Sequence, residues 1–246
     1  MGCLMKTFKH TFAVLSCALA TSVCSAASVR ITFDNPIYNG SGFDNVSINY
    51  PGGSSDVAAS RFQGSASNIV GVPSSIFVDG VNDVYMYCYD LYHGVRGGQV
   101  VNYTINLAGA MSRTLDFLGA VNGVMNLGKA TADPYAWLHP VNANQGAAIQ
   151  LGIWESKYDN AGWNLGTGSF KAAGLEPATN NYWNSFKNAI GTYGDVDAHL
   201  VMTFESTSAQ GMIAGDPPAN VPEPGSLALL GVGLAGLAFA RRNKLQ

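Results

Sequence analysis

The chain has 246 residues, 12% of them charged and 47% hydrophobic, with a formal net charge of −3. Disorder needs low hydrophobicity with high charge, and nucleic-acid binding needs a basic footprint, so both classes are excluded. Soluble domains carry roughly 25% charged residues, and the apolar excess here gathers partly at the two ends.

The first predicted element is a secretory signal peptide over residues 1–27. Lys6 and Lys9 supply a basic start, residues 11–23 an apolar run, and Ser25-Ala26-Ala27 the small residues before a cut. Two other readings of this end are an uncleaved anchor, for which the run is short, and a lipoprotein cut before Cys17. Cys3, Cys17 and Cys24 lie inside the signal, so of the 4 cysteines only Cys88 is exported. A lone cysteine in an oxidising compartment is a partner for an intermolecular disulfide, a buried inert thiol or a reactive one. Residues 28–240 hold 8 basic and 16 acidic side chains, so the exported body is near −8. That charge favours solubility and gives no attraction for polyanions.

Residues 28–210 read as one β-rich domain. Val29, Ile31 and Phe33 alternate with Arg30, Thr32 and Asp34, the period of a half-buried strand. Residues 43–50, 75–81, 84–92 and 99–106 read the same way, separated by Gly, Asn or Pro. The period then changes. Leu107, Met111, Leu115, Leu118 and Met125 recur at helical spacing, against which stand Gly119 and Gly123. Residues 145–158 form a clearer helix, with Ala147, Leu151, Trp154 and Tyr158 as a stripe and Asn142 or Asn144 as its cap. Tyr182, Phe186, Ala189 and Ile190 predict a third helix, and residues 198–204 return to alternation. The expected fold class is α+β, a sandwich-like β-rich ectodomain with a helical insertion.

Two segments of this body carry chemistry. One is Tyr87-Cys88-Tyr89-Asp90, with Cys88 on the strand face of Val84 and Met86; the other is Gln150-Leu151-Gly152-Ile153-Trp154 on the second helix. Together they resemble the thioester domains of bacterial surface adhesins, which have an aromatic-Cys motif on an early strand and a later Thr-Gln-x-Ala-Ile/Val-Trp motif. The resemblance covers roughly residues 75–160. It implies a bond between Cys88 and Gln150, and a pocket built with Tyr87, Ile153 and Trp154. Ile149 stands where the motif has threonine, Gly152 where it has alanine, and Gly98-Gln99-Val100-Val101 matches a third adhesin motif in part. The chemistry needs only these two groups in contact, because a thiolate attacking a side-chain amide expels ammonia and leaves an acyl-sulfur bond. An amine or hydroxyl nucleophile then captures the acyl group once per molecule, so an enzyme is not expected. The plainer alternative makes Cys88 a small buried hydrophobe and Gln150 a polar contact on a core helix.

Other chemistry has less support. A Cys–His hydrolase needs a base beside Cys88, yet His93 falls on the opposite strand face if the strand continues. His139 precedes Pro140 in a loop, and His199 lies on a polar strand face. No ligand pair at short spacing predicts a metal. Asp79, Asn82 and Asp83, or Asp195 and Asp197, read as solvated turns rather than calcium loops. No cofactor is expected. The four tryptophans and 11 tyrosines leave a second class open, a polysaccharide-binding matrix protein whose aromatic faces stack on sugars.

The chain ends in a linker over 211–221 and a tail over 222–246. Pro222-Glu223-Pro224 precedes an apolar run over 225–240, followed at once by Arg241 and Arg242. The run is at the short edge of a transmembrane helix, and the arginines orient it with the body outside. The tail resembles the PEP-CTERM family of exported Gram-negative proteins. This implies an exosortase as partner, a membrane anchor, and release to the cell surface or a biofilm matrix.

Overall fold

The computed structural model describes residues 26–215. Most of the expected signal peptide, and the expected membrane span over 225–240, lie outside those residues. Among the described residues no helix is long and apolar enough to cross a membrane.

The strands form a closed barrel and a separate small sheet. β1 (Ser28–Phe33) buries Val29, Ile31 and Phe33 as the alternation predicts. It pairs antiparallel with β4 (Phe62–Val70) on one side and β6 (Val100–Asn106) on the other. β4 pairs with β5 (Val84–Cys88), and β5 with β9 (Met212–Gly215). β8 (Val201–Glu205) joins β9 to β6 and closes the ring β1-β4-β5-β9-β8-β6. Closure leaves the barrel without an edge strand, although β4 does not pair along the whole of β5. The second sheet has the order β3-β2-β7, from β2 (Asp44–Tyr50), β3 (Gly53–Ala59) and β7 (Lys171–Ala173).

Three expectations are corrected. The architecture is a barrel with an added sheet, not a sandwich. Residues 75–81 form no strand, only a 3-10 turn at Ser74–Ile76. The linker does not start at 211, because Met212–Gly215 is β9, with all four residues buried. Its outer face is covered as well as its inner one, so it lacks the alternation by which strands are recognised.

The helices are α1 (Ser112–Met125), α2 (Ala143–Tyr158) and α3 (Pro177–Ala189). α2 is the centre of the assembly: it packs on α1, α3, β2, β3 and β5, and every residue from Gln145 to Ser156 is buried. Asn142 caps it, accepting a hydrogen bond from the Gln145 N–H at 2.9 Å, and the Gln145 side chain reaches back to the Val141 N–H at 2.8 Å. Asn144, the other candidate, donates instead to Glu176 and Thr179. Gly152 is the point of closest approach to α1, where a Cβ would overlap the Phe117 ring.

Candidate functional site

The site begins where β5 ends. In an antiparallel strand, successive residues turn their N–H and C=O groups to alternate edges. Tyr89 donates to the Gly211 C=O at 2.7 Å on the β9 side, so Cys88 faces the opposite edge. β4 supplies partners there only as far as the Phe62–Met86 pair. Gln150, reaching from α2, occupies the vacant edge. Its Oε1 accepts the Cys88 N–H at 2.8 Å, and its Nε2 donates to the Cys88 C=O at 2.8 Å. Both residues are buried, at 2% and 0% exposure. The carboxamide is thereby fixed in one orientation over the cysteine.

The Cys88 side chain points into the barrel. Cross-strand partners share a face, and the chain of pairs Cys88–Met212, Met212–Phe204 and Phe204–Ile105 leads to the inward face of β6. Burial, with a smaller contribution from the Asp90 carboxylate, pushes the thiol well above its ordinary pKa and keeps it protonated.

A cavity of about 410 Å³ opens beside Cys88. Tyr38, Tyr50, Phe62, Tyr92 and Trp154 supply aromatic walls, with His93 and Gln210 among the polar residues, and among the described residues no Asp, Glu, Lys or Arg lines it. The Trp154 indole N–H is buried without a partner. Of the expected pocket residues, Trp154 lines this cavity. Tyr87 and Ile153 are not among the lining residues: Tyr87 sits on the outer strand face, where its hydroxyl donates to the Trp137 C=O at 3.1 Å. Strand parity places it opposite Cys88, and Ile153 is wholly buried in the helical core.

His93 is where the sequence reading did not put it. β5 stops at Cys88 because Asp90 turns the chain, accepting the Tyr92 N–H at 3.1 Å and the Gly211 N–H. The strand parity that sent His93 away is therefore lost, and it joins the cavity wall. His139 lies elsewhere, between Asp79 and Asp133 at 3.1 Å each, and these carboxylates raise its pKa. His199 is exposed near the Asp197 turn.

Among the described residues no group of three or more His, Cys, Asp or Glu could hold a metal ion. Asp83 accepts from Gln63 and Asp197 caps a turn. Trp137 and Trp183 belong to the core, and Trp163 is stacked on Phe117 beneath Arg113, so the 161–169 loop presents no open tryptophan face. One group had no signal in the sequence. Glu155, five residues beyond Gln150 on the same helix, is buried with Oε1 on the Asn164 N–H at 2.8 Å and Oε2 unpartnered. Burial raises its carboxyl pKa to about 7.

No curated protein and no solved structure matches the chain. One family model does match: the PEP-CTERM protein-sorting motif, over residues 220–242. That stretch includes Pro222-Glu223-Pro224 and the Arg241-Arg242 pair, and lies outside the described residues. The chain thus carries a PEP-CTERM sorting signal, which implies export, anchoring at the C-terminus and processing by an exosortase.

Proposed function

We propose that the exported body attaches covalently to extracellular material through a thioester between Cys88 and Gln150. The observation that carries this reading is the paired 2.8 Å hydrogen bonds that seat the Gln150 carboxamide on the Cys88 backbone. They bring the amide carbon to the same residue that holds the sulfur. The Cys88 N–H on Oε1 is also a donor aimed at the oxygen on which negative charge develops during attack. Sγ bonds to Cδ, the Cδ–Nε2 bond breaks, and the thiol proton leaves with the nitrogen as ammonia. The apolar surroundings of Met86, Phe62 and Trp154 keep water from the product. A nucleophile entering the cavity then bonds to Cδ and releases the thiol. This is one transfer per molecule, not turnover.

After exosortase processing the protein works at the cell surface or in the extracellular matrix, as an adhesin. Thiol labelling tests the bond. Unfolded without prior amine treatment, the protein leaves Cys88 unlabelled by iodoacetamide; after treatment with methylamine, Cys88 labels fully. Full labelling from the start contradicts the bond.

The aromatic, uncharged lining of the cavity favours one second reading, non-covalent binding of a polysaccharide without a reactive bond. That reading requires retention on the polysaccharide to be unchanged by Cys88→Ala.

A further inference from the structure

We propose that His93 is the proton acceptor that lets a hydroxyl group take the acyl chain from Cys88, so that the attachment partner is a polyol or polysaccharide. The inference rests on the thioester reading and specifies its acceptor.

The placement of His93 is built, not incidental. The chain after β5 is held from several sides. Tyr89 bonds to Gly211, Asp90 accepts from Tyr92 and Gly211, and Gln210 donates to the Asp90 C=O at 2.8 Å. The Leu91 N–H reaches the Tyr158 hydroxyl at 2.9 Å. These bonds carry the chain around the strand end and set His93 on the exposed rim of the cavity that Cys88 lines from inside.

Among the described lining residues, His93 carries an imidazole, whose unprotonated ring nitrogen is a proton acceptor, and no carboxylate or lysine is among them. Tyr38 is committed as a donor to the Ala58 C=O at 2.6 Å, and burial raises its phenol pKa.

The need for a base discriminates between acceptors. A neutral amine is nucleophilic enough to attack a thioester unaided, whereas a hydroxyl gains most from a positioned base, by typically about 10²–10⁴-fold. The remaining walls suit a sugar, because the aromatic rings that line the cavity offer it apolar faces. In the transfer the hydroxyl oxygen bonds to Gln150 Cδ while its proton passes to the His93 imidazole. The Cδ–Sγ bond then breaks, and the imidazolium returns the proton to sulfur. The products are an ester and the protonated Cys88 thiol, the form that its burial favours.

The test compares full-length wild-type protein with His93→Gln, following intact mass during reaction with glycerol and, separately, with methylamine. Both proteins should start short by one ammonia. The wild type should capture glycerol as well as methylamine. In His93→Gln the rate of glycerol capture should fall by about 10²-fold, with methylamine capture changed by less than about threefold and glycerol capture partly restored by free imidazole. Equal glycerol rates in the two proteins, or an equal loss toward both nucleophiles, overturns the proposal. Capture of methylamine but not glycerol by the wild type overturns it while leaving the thioester standing. A wild type of full mass overturns both.

Discussion

Gln150 stands in for a missing strand beside Cys88. Its carboxamide makes the two hydrogen bonds, each 2.8 Å, that a residue of β4 would have made had that strand continued past Phe62. The contact plugs the strand end; under the proposed thioester it is also the reactive pair, and the two roles separate by mutation.

Cys88→Ala removes the bond but leaves Gln150 on the backbone of residue 88. Gln150→Ala removes the bond and also strands a buried N–H and C=O, each costing about 1–3 kcal/mol when unpaired. Gln150→Ala should therefore be less stable than Cys88→Ala by about 2 kcal/mol or more in urea unfolding at equal m-value. Equal stabilities would mean that the carboxamide does not hold the strand end.

Gly152 packs against the Phe117 ring, and a Cβ there would overlap it. An alanine gains helix propensity of about 1 kcal/mol but drives a methyl group into that ring. Overpacking of a filled core typically costs about 1–3 kcal/mol, so Gly152→Ala should lower the unfolding midpoint. Adding Phe117→Leu should recover part of the loss. A more stable single variant contradicts this packing.

Glu155 makes stability fall as pH rises. Its pKa is raised by burial from the ordinary carboxylate range to about 7. Between those values the folded protein binds the proton and the unfolded chain does not, so each rise in pH disfavours folding until the window closes above about 7. His139, its pKa raised by Asp79 and Asp133, acts in the same direction from its ordinary range upward. The variant therefore isolates the carboxyl. Thermal unfolding of Glu155→Gln should depend less on pH across that window than the wild type, and Glu155→Gln should melt higher at pH 8. Parallel curves would rule out a buried protonated Glu155.

The helices were legible because α2 and α3 show a helical period and α2 a capping asparagine; α1 was read through Gly119, which admits the backbone of Gly194. The barrel was not. β4 carries Gly64, Ser65 and Ser67 and is held as a strand between β1 and β5, while β9 is buried on both faces and shows no alternation. Cys88, Gln150 and Trp154 were legible as a motif. Tyr87 and His93 were misplaced for related reasons. Adjacency in sequence to Cys88 sets Tyr87 on the opposite face, and parity for His93 holds only while the strand lasts. The strand ends through contacts between Asp90 and residues 210–211, more than a hundred positions away.

The most direct test of the covalent account is the intact mass of the full-length protein before and after methylamine. The account predicts a mass short by one ammonia, which rises by one methylamine on treatment, and a full mass unaffected by methylamine in Cys88→Ala and Gln150→Ala. A wild-type mass that already equals the full sequence of the processed chain, unchanged by the amine, would contradict it.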